Sequence, residues 1–443
     1  MFFLLISIII LILWIIVGTT YLKLHPFLVL FLGSIFLCFY LKIPLSDIPK
    51  FLFTGFSETI KKIGLLIVFG TIIGATLELT NATSSIANYI INRFKNIPLQ
   101  FKIGFIGYII SIPVFCDAAF IILSKTIRSI SKKSNIPLKS LGVALSTGLF
   151  APHVLVPPTP GPLAAASNLR LENFPLLIII GGILAFILVI VGSSYSFLIF
   201  RKSKFDYSTF INKDFANKNP NLYDSIIPIF IPVVLMAMGT LLENISTLKK
   251  LDFIFGFLGS PSFALFVGVL LSFRLIKFNP EIKLKNCIKK GVFSAFPIIL
   301  ITGMGGTLGF IMQKIPLGEV INNYSFDFGA VLLIPFFISS TFKTVQGSST
   351  VAIITTSTIV YPLLSSLGID NEIDKIWTIL SIGVGSMTVS HTNDSYFWIV
   401  SEMSGISVEN TLKYHTTATL IQGVSGIVFI LIGYKLTSLI NFI

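Results

Sequence analysis

Charge is what this sequence has least of. Lys, Arg, Asp and Glu make up 12% of its 443 residues, about half of the roughly 25% found in soluble domains. So little charge cannot clothe the two or three water-soluble domains that this length would form, which excludes a soluble enzyme. Cysteine is scarce as well. Cys38, Cys116 and Cys287 stand far apart, which excludes a disulfide framework and leaves no metal-ligand spacing. No tract alternates apolar with polar residues, so a transmembrane β-barrel is excluded. Residues 1–17 lack the basic start and small-residue cleavage site of a signal peptide, and 2–17 is expected to be a first span.

What is present is apolar. The chain is 54% hydrophobic with a mean hydropathy of +0.90. At roughly 20 residues per crossing this is enough for about ten to twelve spans. Continuous apolar runs must satisfy their own backbone hydrogen bonds in lipid, so they are expected to be helices. The expected fold is an all-α polytopic membrane protein. A net charge of +13 would suggest nucleic acid in a soluble protein. Here the basic residues sit in short loops beside apolar runs, where membrane orientation explains them, and no nucleic-acid partner is expected.

The longest polar stretch, 201–225, falls near the midpoint and is expected to be a cytoplasmic linker. It separates a first transmembrane repeat (1–200) from a second (226–443). Each half runs in the same order. Two plain apolar helices come first, then a Gly-dotted run (64–77 and 298–311) and an interrupted segment (103–138 and 327–368). A segment broken by turn residues follows (141–170 and 376–405), then a plain helix. Breaks at corresponding places in two halves are the mark of a secondary transporter. If 103–138 and 327–368 are re-entrant hairpins, each half crosses five times and the second is inverted. The larger share of Lys and Arg then faces the cytoplasm, and 42–62 is a loop on the other side. Making 103–124 a full crossing satisfies the charge bias equally; the repeat pattern favours hairpins.

Four polar interruptions carry the chemistry. The first is Pro113-Val-Phe-Cys-Asp117. A carboxylate at bilayer depth costs at least ~2.5–3.5 kcal/mol, so Asp117 faces protein, water or a substrate path; the plainer reading is a helix cap. The second, from Ala151 through His153 to Pro162, has four prolines in its last six residues, at 157, 158, 160 and 162. These cannot continue a helix, leaving a broken intramembrane helix or a surface loop. His153 is a proton relay or a structural histidine on equal footing. The third runs from Lys343 through Gly347, Ser348, Ser349 and Thr350. Hydroxyls and free N–H groups at a helix start make an anion site, with Lys343 adding charge; the alternative is an ordinary cap. The fourth, Ser390-His391-Thr392-Asn393-Asp394-Ser395, is dense enough in donors and acceptors to wrap a polar solute. It offers a His391–Asp394 proton pair, or is an extramembrane loop.

These segments resemble the gluconate permease family of proton symporters, which also includes D-serine and related sugar-acid carriers. The matching pieces are PVFxDxxF at Pro113–Phe120, H…PPxPGP from His153 to Pro162, GSxTVA from Gly347 to Ala352 and SHxNDSYFW from Ser390 to Trp398. The resemblance runs from about Gly64 to about Ile432. It implies the wider ion transporter superfamily, with inverted repeats, two re-entrant hairpins, two broken helices meeting at a central site, elevator-like motion and homodimers. The sequence departs from the pattern at Cys116, where an aromatic residue is expected, and at Thr159, where many relatives carry His. Lys343 stands in place of Arg and Gln346 in place of a small apolar residue. Lys cannot grip a carboxylate bidentately as Arg does.

The chain is therefore expected to be a cell inner-membrane secondary transporter and not an enzyme. It would import a small hydroxylated carboxylate, gluconate or a related sugar acid, by proton symport. The alternatives are D-serine or another small amino or hydroxy acid, then an anion channel, then an intramembrane enzyme using a His–Asp pair. Substrate contacts are expected from Asp117, Pro157, Thr159 and Gly161 in the first half. In the second they are expected from Lys343, Gly347, Ser348, Ser349, Thr350, Ser390, Asn393 and Ser395. Proton coupling is expected from Asp117, His153, His391 and Asp394. No cofactor or metal is expected; the partners are the carboxylate, protons, the bilayer and a second copy of the chain.

Overall fold

The computed structural model describes residues 10–94, 96–201, 220–243, 252–312, 314, 328–364, 367–369 and 371–440. Helix dominates, and no strand occurs among the described residues. The first half contains α1 (Ile10–Thr19), α2 (Pro26–Tyr40), α3 (Ile48–Leu79), α4 (Ala82–Arg93) and α5 (Leu99–Ser111). It continues with α6 (Cys116–Ser134), α7 (Leu138–Leu155), α8 (Pro160–Asn168) and α9 (Phe174–Phe200). The second half contains α10 (Leu222–Glu243), α11 (Asp252–Gly259), α12 (Pro261–Phe273), α13 (Leu284–Met312) and α14 (Leu333–Gln346). It ends with α15 (Ser349–Val360), α16 (Glu372–Gly385), α17 (Ser395–Ser404) and α18 (Thr417–Ile440). Most of the expected linker, 202–219, lies outside the described residues, and α10 has already begun at Leu222. Residues 2–9 of the expected first span and 315–327 before α14 are outside them as well.

Among the described residues, six stretches are long and apolar enough to cross a membrane, and five apolar helices of 10–17 residues accompany them. Proline opens several helices in the first turn, where its missing N–H costs nothing: Pro26, Pro49, Pro160, Pro175 and Pro261. The α7–α8 stretch is buried over its whole apolar window, whereas α9 is only 39% buried. The broken helix is therefore the centre of the protein and α9 is peripheral, which removes the reading of 151–162 as a surface loop.

One expectation was wrong. Residues 48–62 are not a loop but the first turns of α3, a continuous helix of 32 residues. At 1.5 Å per residue it is about 48 Å long, well over the ~30 Å hydrocarbon core. The error came from Lys50, Glu58, Lys61 and Lys62, which lower the hydropathy of the stretch. Lys61 and Lys62 lie exposed while Gly55, Thr59 and Ile63 are buried, so the segment is amphipathic rather than irregular. α3 packs antiparallel to α13 through small residues. A side chain on Gly55 would meet Thr307, one on Gly306 would meet Thr59, and one on Gly291 would meet Ile72. Glu78 and Lys290 close the far end at 2.6 Å.

Lipid tails are as apolar as leucine, so helices in a membrane associate through close packing rather than hydrophobic expulsion. The α5–α7 contact shows how tightly. A Cβ on Gly148 would collide with the Gly104 carbonyl oxygen, and one on Gly107 would lie 2.8 Å from Gly148 and Leu149 backbone. Gly148→Val is expected to destabilise the protein by about 1–3 kcal/mol through overpacking. Gly182→Ala, whose added carbon would meet only the Tyr108 hydroxyl at 3.4 Å, should be neutral. All three cysteines are free and buried, so a thiol-reactive dye reports unfolding in detergent. Equal melting curves for the two variants would refute this packing account.

Candidate functional site

Each of the four polar interruptions is a helix break. α5 ends at Ser111 and α6 begins at Cys116; α7 and α8 are separated by Val156–Thr159. α14 and α15 meet at Gly347-Ser348, and α16 and α17 are separated by Ser386–Asp394. Gly347 has φ +82°, and a Cβ there would collide with the Asn393 carbonyl. Only glycine meets both demands, a left-handed turn and backbone contact. The 343–348 turn therefore lies directly on the 390–395 segment.

The two segments are tied by a buried ion pair. Lys343 is fully buried, and its Nζ lies 2.5 Å from Asp394 Oδ2. The ammonium also donates to the Gly347 carbonyl at 2.6 Å and sits 5.5 Å from the centre of the Phe150 ring. Its charge is thus answered by protein groups. Asp394 accepts a further bond from Ser390 Oγ at 2.6 Å, and its other oxygen caps α17 by accepting from the Tyr396 N–H at 3.0 Å. Asn393 Nδ2 donates to the carbonyls of Thr344 and Val345 at 2.7 and 3.0 Å.

The expected His391–Asp394 pair is not made. His391 Nε2 instead donates to the Thr344 carbonyl at 2.7 Å, holding the α14 end rather than facing the carboxylate. The histidine joined to Asp394, through Ser390, is His415. It is fully buried, with Nε2 at 3.1 Å from Ser390 Oγ and Nδ1 at 3.1 Å from Ser146 Oγ. Sequence reading passed over His415 because it belongs to none of the four polar interruptions. The structure places it on a π-helical turn, Leu412–Thr416, leading into α18; such turns gather at functional sites.

Asp117 lies in the first turn of α6, half-buried, and accepts from Ser395 Oγ at 3.5 Å. α6 and α17 run side by side from there, with Arg128 donating to the Met403 carbonyl at 2.8 and 3.2 Å. Ser348 caps α15 by accepting from the Val351 N–H at 3.3 Å; Ser349 is buried and Thr350 half-buried behind it.

The Pro-rich break contributes differently. Pro157 and Thr159 are buried, and Thr159 Oγ1 donates back to the Val156 carbonyl at 2.5 Å. Gly161 lets α8 close on Ile353 of α15. His153 packs edge-on against Phe115, centroids 6.1 Å apart. Two side chains at these breaks bury polar atoms without a partner: His153 at Nδ1 and Gln346 at both amide atoms. Such orphans are rare in folded proteins, and each calls for a partner such as water, an ion or a polar ligand. Gln346 was legible only as a departure from the family pattern.

Residues 1–436 match the GntP family permease. The chain belongs to the GntP permease family. That makes it a multi-pass membrane transport protein rather than an enzyme. Its relatives include a gluconate permease of Pseudomonas aeruginosa, 26% identical, with 97% of each chain covered. The D-serine transporter DsdX of Escherichia coli is 27% identical over 91% of this chain and 92% of that one. Among solved structures, the Alcanivorax borkumensis YdaH transporter, described as having an unusual topology, matches at a TM-score of 0.68. It covers 93% of this chain and 99% of that one at 14% identity, a likeness of fold alone.

Removing one member of a buried ion pair strands the other charge, at about 3–5 kcal/mol. Lys343→Met is accordingly expected to lower the stability of this GntP permease by that order. Asp394→Asn keeps a capping oxygen and strands Lys343 instead. The double variant should be more stable than the sum of the single losses predicts. Additive losses in thermal unfolding would show that the pair does not act as a unit.

Proposed function

We propose that this GntP permease imports a small hydroxylated carboxylate, gluconate or a related sugar acid, together with protons. The observation that carries the reading is the convergence at the helix breaks. The start of α6, which no side chain caps, the hydroxyls at the start of α15, the unpartnered amide of Gln346 and the Asp117 carboxylate beside Ser395 lie at the breaks joined by the buried Lys343–Asp394 pair. Helix N-termini favour the substrate carboxylate, and Ser348, Ser349, Thr350, Ser395 and Thr159 supply partners for its hydroxyls. Lys343, Gly347, Ser390 and Asn393 shape this wall, and Pro157 and Gly161 shape the opposite one. Asp117, at the exposed rim of the cluster, is the first proton acceptor; His153, with its bare nitrogen, and Asp394 are others. His391 is engaged by backbone, so its part is to hold the turn.

In the same reading the halves 1–200 and 226–443 are inverted repeats joined by a cytoplasmic linker, and α5–α6 and α14–α15 are re-entrant hairpins. The matching order of broken elements supports this. Alternating access follows if the hairpin-bearing elements move against α3 and α13, with substrate and proton stabilising the moving form. A homodimer belongs to the same picture. D-serine is the second substrate reading, supported by the relative that carries it. Both are small carboxylates with a hydroxyl.

Uptake of radiolabelled gluconate, glycerate or D-serine into proteoliposomes tests this, with an inward proton gradient, a sodium gradient or neither. Proton-driven accumulation abolished by an uncoupler is expected for one solute. Equilibration without accumulation would instead indicate a channel. Asp117→Asn is expected to abolish proton-driven uptake while leaving exchange partly intact. Full accumulation by that variant removes Asp117 from the proton path.

A further inference from the structure

His415 belongs to none of the four sequence interruptions, yet it is a fully buried titratable group with a hydrogen-bond partner at each ring nitrogen. The titratable groups around it are few. Asp394 is reached through Ser390, with Lys343 behind it. Tyr396 and Phe397 of α17 face its ring at 5.7 and 6.3 Å between centroids. The Tyr396 hydroxyl is turned away to the Ser146 carbonyl at 3.0 Å. From α7 the facing group is Ser146 itself; Lys413, next but one in the chain, is exposed.

The hydrogens at this site admit two complete arrangements. Ser390 Oγ lies 2.6 Å from Asp394 Oδ2, so the hydroxyl proton lies between them while Asp394 is ionised against Lys343. His415 Nε2 must then carry a hydrogen to donate to Ser390 Oγ. Nδ1 faces Ser146 Oγ, which also lies 2.9 Å from the Val143 carbonyl. With neutral His415, the Ser146 hydroxyl donates to Nδ1. When a proton adds to Nδ1, that N–H donates to Ser146 Oγ and the hydroxyl turns to the Val143 carbonyl. Every donor has an acceptor before and after, and no heavy atom moves. The Ser390 end stays fixed, because Thr416 Oγ1 donates to its carbonyl at 2.5 Å and its N–H donates to Thr419 Oγ1 at 3.2 Å.

We propose that His415 binds the coupled proton, with the Ser146 hydroxyl as the two-position rotor that makes both protonation states hydrogen-bonded. This rests on the proton-symport reading and adds His415 to Asp117 on the proton's path. The added positive charge lies one hydroxyl away from Asp394, and so bears on the ion pair that joins the α14 end to α17. The proton thereby acts on the same contact that a substrate at the breaks would sense.

Ring-15N-histidine NMR of the protein in lipid nanodiscs, with His415→Gln used for assignment, tests the proposal directly. His415 is expected to pass from the Nε2–H tautomer to imidazolium as pH is lowered from about 8.5 to the acid limit of folding. Ser146→Ala removes the acceptor of the charge-assisted bond, which favours the protonated form more than the neutral one. Its transition should therefore need about tenfold more protons, roughly one pH unit lower. A His415 neutral throughout that range, or unmoved by Ser146→Ala, overturns the proposal. In proteoliposomes under a proton gradient, His415→Gln is expected to lose at least tenfold more accumulation than exchange, with gluconate, glycerate and D-serine as probes. Accumulation equal to the unmodified protein overturns the role of His415 while leaving symport standing. If the unmodified protein exchanges a solute but never concentrates it on protons, the symport reading fails, and the role of His415 as carrier fails with it. The NMR titration still decides whether the proton site exists.

Discussion

The buried pair of Lys343 and Asp394 is the contact on which the rest of the site hangs. Dehydrating two ions costs several kcal/mol each, and their attraction repays it only with good geometry and further hydrogen bonds. Both conditions are met. Lys343 has the Gly347 carbonyl and the Phe150 face, and Asp394 has Ser390 and the Tyr396 N–H. Such a pair is weak as a source of stability but strict in its geometry. It fixes the end of α14 against the start of α17, and the glycine contact at 347 and the Asn393 amide follow from that register. The Arg-to-Lys change reads sensibly here. A point-charge ammonium can serve a carboxylate, a carbonyl and a ring in three directions, whereas a planar guanidinium is built to grip one carboxylate with two bonds.

Breaking helices inside an apolar protein frees backbone groups that must find partners, and the chain meets that need with short side chains beside the breaks. Thr159 returns a bond to Val156, Ser348 caps α15, Asp394 caps α17, and Asn393 takes up the last carbonyls of α14. Most of the polar density at 390–395 is used in this way. On the proposed reading, the groups left for a solute are fewer than the string suggests: the hydroxyls at the start of α15, the Thr159 oxygen as an acceptor, Ser395 beside Asp117, and the unpartnered atoms of Gln346 and His153.

The broken architecture was legible because each break interrupts an apolar run with residues that cannot continue a helix. Four prolines in 157–162, Gly347, and the polar 390–395 string all mark real breaks. What stayed hidden was whatever respects helical periodicity. Lys61 and Lys62 read as loop because a hydropathy window averages over the faces of α3. His415 and Ser146 were passed over because neither lies in a polar interruption; only the packing of α7 against the π-turn before α18 brings them together. Pairing was equally beyond sequence. His391 and Asp394 are three residues apart, yet one faces the Thr344 carbonyl and the other Lys343.

These contacts also decide where motion is cheapest on the alternating-access reading. The ion pair, the Asn393 clamp, the Ser395–Asp117 contact and the Arg128–Met403 bonds join the α14 end, the 390–395 segment, α17 and α6 into one unit. α3 and α13 form another, closed on glycines and on Glu78–Lys290. Between the units lie smooth surfaces. Gly74 rests on the Pro113 carbonyl, Gly70 on Pro158, and Gly305 on Ile354, with Thr358 donating to the Gly305 carbonyl at 3.1 Å. Sliding glycine past backbone breaks few hydrogen bonds, whereas separating Lys343 from Asp394 would strand two buried charges at a cost of several kcal/mol. The ion pair should therefore travel whole with its neighbours, and substrate and proton would act by changing how that unit sits on α3 and α13.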